Sequence, residues 1–126
     1  MIENRSINVL LVEDNPGDAR LVKEALAEAR SSVAFNLAQV GLLSKAQSYL
    51  NENKIDVILL DLSLPDSNGV DTFKKIQSMV QWIPIILLSG LNDEDLADQL
   101  VHQGAQDYLI KGQTNGELLV RSIRYA

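Results

Sequence analysis

Residues 57–61 have the sequence Val-Ile-Leu-Leu-Asp, four apolar residues that stop at an acid. Residues 9–12 and 85–88 repeat the apolar pattern with Val-Leu-Leu-Val and Ile-Ile-Leu-Leu. Short runs that are apolar throughout are typical of strands covered on both faces, as in a parallel sheet. We therefore predict strands at residues 7–12, 33–40, 55–60, 83–88 and 106–110. The second of these is more polar than the others, which indicates an edge strand.

Helical patterns fill the segments between these strands and follow the last one. In each segment, apolar residues recur three or four positions apart, which is the spacing of one helix face. The five stripes are Val22, Ala25, Leu26 and Ala29; Leu42, Leu43, Ala46 and Leu50; Val70, Phe73, Ile76 and Val80; Leu96, Ala97, Leu100 and Val101; and Leu118, Leu119 and Ile123. Three helices have start signals: a cap with a first-turn proline at Asn15-Pro16, a polar pair at Asn92-Asp93, and a capping box at Thr114-Asn115-Gly116-Glu117.

Alternation of strands and helices along the whole chain predicts the fold class. Five such units with short connections imply an α/β fold with a parallel sheet and helices on both faces. The predicted architecture is a flavodoxin-like, doubly wound sheet of five strands in the order 2-1-3-4-5, with five helices. All 126 residues fit one compact domain.

Composition limits the functions that such a domain can have. Seventeen acidic and 11 basic side chains give a net charge of −6, which argues against a nucleic-acid surface. The lack of cysteine excludes disulfides, thiolate metal sites and cysteine nucleophiles. No apolar run approaches the roughly 18 residues that span a bilayer, and residues 1–6 lack the apolar segment of a signal peptide. We therefore expect a cytoplasmic protein without membrane contacts.

Polar residues stand directly after four of the predicted strands. Strand 1 is followed by Glu13 and Asp14, strand 3 by Asp61, strand 4 by Ser89, and strand 5 by Lys111. In a sheet of order 2-1-3-4-5, ligands bind beyond the carboxyl ends of the strands, where strands 1 and 3 adjoin. We therefore expect three acids, one hydroxyl and one ammonium to meet in a single pocket.

Three gathered carboxylates repel one another and need positive charge to stay ionised. The single charge of Lys111 is too little, whereas Mg²⁺ prefers carboxylates, water and phosphate oxygens as ligands. Asp61 would then be both a metal ligand and an exposed nucleophile, and carboxylates do accept phosphoryl groups as aspartyl phosphates. Mg²⁺ and Lys111 would neutralise charge during transfer, and the Ser89 hydroxyl would donate to a phosphoryl oxygen, for which Gly90 leaves space.

Together these segments resemble the receiver domain of two-component response regulators, over essentially the whole chain. The matching segments are Val12-Glu13-Asp14-Asn15, residues 60–69 (Leu-Asp-Leu-Ser-Leu-Pro-Asp-Ser-Asn-Gly), Leu88-Ser89-Gly90, and residues 104–111 (Gly-Ala-Gln-Asp-Tyr-Leu-Ile-Lys). The resemblance implies that Asp61 is the phosphoacceptor. It also implies that Mg²⁺ (or Mn²⁺) is bound by Glu13, Asp14, Asp61 and the main-chain carbonyl of Ser63.

The same resemblance assigns roles in switching. It implies that Ser89 is the Ser/Thr switch residue, that Lys111 contacts the phosphoryl group, and that Tyr108 is the aromatic residue that rotates. One departure concerns Gly112, because the family usually has proline after the lysine; the geometry of that loop is therefore an open question.

Partners also follow from the resemblance. The phosphoryl group would come from a sensor histidine kinase or a phosphotransfer protein and would be hydrolysed slowly, so the domain is expected to be a signalling phosphoacceptor and not a conventional enzyme. Its phosphorylation would reshape the face of helix 4, strand 5 and helix 5, residues 92–124. That face would contact a downstream protein, a fused output domain or a second copy of the chain.

Two other functional classes fit the sequence less well. A phosphatase with an aspartate nucleophile generally has a second aspartate two residues later, but this position is Ser63. A binding module that works without phosphorylation would not need the acidic pocket. No GxGxxG or GxxxxGK[ST] pattern supports nucleotide binding. We expect residues 1–126 to form one receiver domain, either acting alone or excised from a longer signalling protein.

Overall fold

A parallel sheet forms the centre of the computed structural model, which describes residues 5–28, 33–113 and 115–126. The strands are β1 (Arg5–Val12), β2 (Val33–Val40), β3 (Val57–Asp61), β4 (Ile85–Ser89) and β5 (Asp107–Ile110). Their order in the sheet is β2-β1-β3-β4-β5, and every neighbouring pair is parallel, so the predicted order is confirmed. β3 and β4 begin two residues later than predicted and each continues one residue further, whereas β1 begins two residues earlier and β5 one residue later.

Helices occupy the predicted connections. They are α1 (Pro16–Glu28), α2 (Leu43–Glu52), α3 (Gly69–Met79), α4 (Glu94–His102) and α5 (Gly116–Arg124). A 3₁₀ turn, Leu91–Asp93, precedes α4, and a two-residue antiparallel ladder joins Ser63–Leu64 to Ser67–Asn68. No helix in the described ranges is long and apolar enough to cross a membrane.

Two helix starts test the predicted caps. Asn15 caps α1 as expected, because its Oδ1 accepts a hydrogen bond from Asp18 N at 3.0 Å. α5 is capped by Asn115, whose Oδ1 accepts from Leu118 N at 2.8 Å, so its first helical residue follows Asn115. The predicted capping box began at Thr114, which lies outside the described residues, as do Ala29 of the first stripe and residues 1–4.

Alternate residues of the central strands pack on opposite sides of the sheet. Leu10 and Ile58 pack with α2, α3 and α4, whereas Val9 and Leu59 pack with α1 and α5. All five residues of β3 are buried. Each fully buried Val, Leu or Ile side chain contributes about 1.5–3 kcal/mol, which explains why these strands are apolar throughout.

The sheet's hydrogen bonds continue past the strand ends and fix the backbone that follows. Glu13 N donates to Val40 O at 2.9 Å, and Lys111 N donates to Ser89 O at 2.8 Å. The residues after β1 and β5 are therefore held in place by the neighbouring strands. This pairing determines where their side chains begin.

Candidate functional site

Three acids meet at the carboxyl edge of the sheet. One carboxylate oxygen from each of Glu13, Asp14 and Asp61 lies within 4.8 Å of the other two. Glu13 is 0 % exposed and Asp61 is 3 % exposed, whereas Asp14 is exposed. The cluster therefore has two buried acids and one acid at its mouth.

Lys111 reaches this cluster from the end of β5. Its Nζ lies 2.6 Å from Glu13 Oε1 and 3.1 Å from Asp61 Oδ2. Asp18 Oδ2 is a third partner, also at 3.1 Å. Asp18 was not among the predicted site residues. Its only sequence signal is its place in the first turn of the helix that follows Glu13 and Asp14.

Burial and crowding change how the buried acid titrates. Burial, followed by the proximity of Asp61, raises the pKa of Glu13 from 4.5 to about 7, and Lys111 limits this rise. Burial alone would lower the pKa of Lys111, but its contacts with Glu13, Asp61 and Asp18 outweigh burial, so this pKa lies above its ordinary value. The lysine is therefore charged at neutral pH, and the protonation of Glu13 depends on what shares the cluster.

Both oxygens of Asp61 have a fixed donor. Ser63 N donates to Oδ1 at 3.0 Å, and Lys111 Nζ approaches Oδ2 at 3.1 Å. The peptide of Ser63 thus lies beside the carboxylate, on the exposed side of the site. This arrangement holds the plane of the Asp61 carboxylate in one orientation.

Ser89, the last residue of β4, is buried with its hydroxyl unused. It is 1 % exposed, and its Oγ has no hydrogen-bond partner among the described residues. β4 pairs with β3 so that Leu88 is opposite Asp61. An unpaired buried hydroxyl is costly and unusual, and here it stands beside the strand that ends in Asp61.

Tyr108 lies on a different part of the domain from the cluster of Glu13, Asp14 and Asp61. It is half-buried in β5 and packs against the core on the side of α4. Burial, followed by the charges of Glu94 and Asp98 on α4, raises the pKa of its hydroxyl. The structure therefore places Tyr108 on the face of α4, β5 and α5.

Gly112 forms a turn that keeps Lys111 at the site. Its φ is +81°, a left-handed value that favours glycine. Gln113 N donates to Ile110 O at 3.1 Å, which closes the turn. The residue that departs from the family pattern thus leaves the lysine ammonium in contact with the acids.

Fold and site together define a class of protein: a doubly wound domain with an acidic cluster and one lysine at the carboxyl edge of its sheet, where β1 and β3 adjoin. The family profile described as the response regulator receiver domain matches residues 9–123. The swarming motility regulation protein RssB of Serratia marcescens is 36 % identical over 115 residues, covering 91 % of this chain and 51 % of RssB.

Solved structures agree with this match. The phosphorylated cyanobacterial phytochrome response regulator RcpA is 29 % identical, with a TM-score of 0.75 over 95 % of this chain and 91 % of that one. The Mn(2+)-bound form of the response regulator Rcp1 is 27 % identical, with a TM-score of 0.74 over 94 % and 90 % of the two chains.

This chain belongs to the response regulator receiver domain family, whose members are signalling domains of two-component systems. It spans about half the length of the curated relatives that it matches. Its acidic cluster is compatible with a phosphoacceptor and a divalent metal.

Proposed function

We propose that this domain accepts a phosphoryl group on Asp61 in a Mg²⁺-dependent reaction and that phosphorylation controls its protein contacts. The observation that carries the proposal is the ion pair between Lys111 Nζ and Asp61 Oδ2, 3.1 Å apart, in a cluster of three acids of which two are buried. A lysine in this position neutralises an acid and faces any group attached to it. No purely structural need explains three acids around one lysine.

The donor set fits a hard divalent cation. Glu13, Asp14 and Asp61 offer oxygens within 4.8 Å of one another, and the carbonyl of Ser63 would add a fourth. Glu13 Oε1 is buried and has no well-aligned hydrogen-bond donor in the part of the chain that the structure describes, although it lies 2.6 Å from Lys111 Nζ. Mg²⁺ or Mn²⁺, when bound, would neutralise charge on the transferred group. The similar response regulator Rcp1 has been solved in an Mn(2+)-bound form.

The transfer itself follows from the position of Asp61. One carboxylate oxygen attacks the phosphorus of a phosphohistidine, the P–N bond breaks, and its electron pair leaves with the imidazole nitrogen. Ser63 N and Lys111 Nζ hold the two oxygens of Asp61 in place, so the nucleophile is oriented before the donor arrives. Lys111 then remains beside the new phosphoryl oxygens and stabilises their charge.

Signalling would begin with Ser89. Its free hydroxyl can donate to a phosphoryl oxygen on Asp61, and its movement would let Tyr108 turn inward. The face of α4, β5 and α5 would change shape, with a coupling free energy of about 1–3 kcal/mol. We infer that this face contacts a downstream protein, a fused output domain or a second copy, and that residues 1–126 act within a longer signalling protein. A sensor histidine kinase or a phosphotransfer protein would be the donor.

Labelling with acetyl phosphate in Mg²⁺ tests the proposal. Asp61→Asn removes the nucleophile, so we expect labelling measured by intact mass to disappear, and chelation of Mg²⁺ to have the same effect on the unaltered chain. Asp56→Asn is the matched control, because Asp56 is an exposed aspartate at the opposite end of the sheet. Undiminished labelling of Asp61→Asn would reject the assignment.

A further inference from the structure

Helix α2 is capped by a residue from another part of the chain. Its N-cap residue, Leu42, has no side-chain hydrogen bond to offer. Instead, Leu43 N donates to Asp66 Oδ1 at 2.8 Å and Ser44 N donates to Asp66 Oδ2 at 3.1 Å. A cap normally comes from the residue just before the helix, so a carboxylate from more than 20 residues away also joins two segments.

Asp66 lies in the connection between β3 and α3, residues 62–68, which follows Asp61 directly. This connection contains Ser63, whose nitrogen orients the Asp61 carboxylate. It is closed at its base by Gly69 N, which donates to Leu62 O at 2.8 Å. Asp66 provides a second attachment, to a helix whose residue Leu43 is buried in the core.

The end of β2 and the connection that follows it support the other acidic segment. Gln39 Nε2 donates to Glu13 O at 2.7 Å, and Glu13 N donates to Val40 O at 2.9 Å. Gly41 lies so close to Asp14 that a Cβ at Gly41 would be 3.4 Å from Asp14 Cα. Gly41, two residues before α2, therefore lies against the segment with Glu13 and Asp14, and the first residues of α2 are joined through Asp66 to the segment with Asp61 and Ser63.

We propose that Asp66 is a positioning residue of the metal site: by capping α2 it fixes the β3–α3 connection against the β2–α2 connection and so sets the distance between the two groups of metal ligands. The inference rests on the proposed function. Asp66 acts from outside the acidic cluster, since both its oxygens are engaged with backbone N–H groups. Those two hydrogen bonds also lower the pKa of Asp66, so it is ionised and retains both acceptors at neutral pH.

Mg²⁺ affinity of the 126-residue chain tests this role, because a cap that served only the helix would not alter it. Asp66→Ala removes both acceptors, and we expect calorimetric titration to show Mg²⁺ binding weakened about tenfold, the lower end of the effect seen for residues that support metal ligands. Asp56→Ala is the matched control. Asp56 is also exposed and also accepts a backbone hydrogen bond, from Asn8 N at 2.8 Å, but at the far end of the sheet. Its Mg²⁺ affinity should equal that of the unaltered chain.

Equal Mg²⁺ affinity in Asp66→Ala and the unaltered chain would overturn the positioning role, whatever the change in stability. If the alanine variant does not fold, Asp66→Asn, which keeps one acceptor oxygen, replaces it. We then expect intermediate Mg²⁺ affinity together with faster hydrogen exchange at the Leu43 or Ser44 amide; faster exchange with unchanged affinity would also overturn the role. Absence of Mg²⁺ binding by the unaltered chain is a different result, because it contradicts the proposed function as well.

Discussion

The two ends of the same sheet use polar side chains in opposite ways. At the amino end, Asp56 and Asn8 serve the backbone: Asp56 Oδ2 accepts from Asn8 N, and Asn8 Nδ2 donates to Lys54 O at 3.3 Å. At the carboxyl end, Glu13 and Asp61 are buried beside each other. Polar groups at the amino end satisfy one another, whereas those at the carboxyl end repel and depend on one lysine.

This difference distinguishes polar side chains that stabilise the fold from polar side chains that form a site. An acid that only flanks a strand can stay in water, as Asp56 does just before β3, at little cost in folding free energy. Burial of two acids together opposes folding, and the pKa of Glu13, raised to about 7, is the direct sign of that opposition. Local arrangements that oppose folding are concentrated at binding and catalytic sites, which supports the proposed function at the carboxyl end.

Removal of the positive charge of Lys111 should have the largest effect on stability. Lys111→Met leaves Glu13 and Asp61 without their shared partner, and we expect the free energy of unfolding in metal-free buffer to fall by about 2–4 kcal/mol, because an unpaired buried charge is strongly destabilising. Denaturant unfolding at neutral pH measures this. Lys54→Met, an exposed lysine at the amino end, should change stability by less than about 0.5 kcal/mol. Similar losses for both variants would mean that the two ends do not differ electrostatically.

Much of this contrast could be predicted from the sequence, because apolar runs mark the buried strands and parallel order brings their carboxyl ends together. Glu13, Asp14, Asp61 and Lys111 were placed at one edge by that reasoning, and they lie there. Asp18 could not be found in this way, since it does not follow a strand: it lies in the first turn of α1, and its contact with the lysine depends on how that helix packs.

Asp66 was hidden for a related reason. Its partners, Leu43 N and Ser44 N, lie on a different segment of the chain, and an aspartate after proline is an ordinary turn residue. The first residue of α5 also differs from the prediction, and it depends on whether Thr114 or Asn115 provides the cap. Both residue types are good N-caps, so sequence alone does not separate them.

The titration of Glu13 should give the second largest effect, in the metal-free protein. The folded pKa is about 7 and the ordinary value is 4.5, so between these values the folded state binds more protons than the unfolded state. Stability from this group is therefore fully present below about pH 4.5 and is lost as the pH rises through 7. We expect a loss on the order of 2–3 kcal/mol over this window, measured by denaturant unfolding at a series of pH values.

Glu13→Gln should flatten that dependence, because the side chain no longer titrates, and saturating Mg²⁺ should flatten it in the unaltered chain by holding the acid ionised. Asp56→Asn at the amino end should keep the full slope. Asp66 acts with the opposite sign and in another window: its lowered pKa contributes stability that is lost as the pH falls below the ordinary carboxyl range. A slope that survives in Glu13→Gln would assign the titration to a different group.

The smallest expected effects on stability come from a comparison of Asn8, whose side chain is hydrogen-bonded, with Ser89, whose hydroxyl is not. Asn8→Ala removes hydrogen bonds to Lys54 O and from Asn36 Nδ2, so it should cost about 1 kcal/mol. Ser89→Ala removes a buried hydroxyl that has no partner among the described residues, so the free energy of unfolding should not fall and should rise by up to about 1 kcal/mol. In the response to phosphorylation, Ser89→Ala should be the variant with the larger effect. The amide shifts of α4, β5 and α5 should then respond to phosphorylation in Asn8→Ala but not in Ser89→Ala, because only the second variant lacks the donor that would follow the phosphoryl group. If Ser89→Ala is as destabilising as Asn8→Ala before phosphorylation, the hydroxyl already has a partner and is not available to donate to a phosphoryl oxygen.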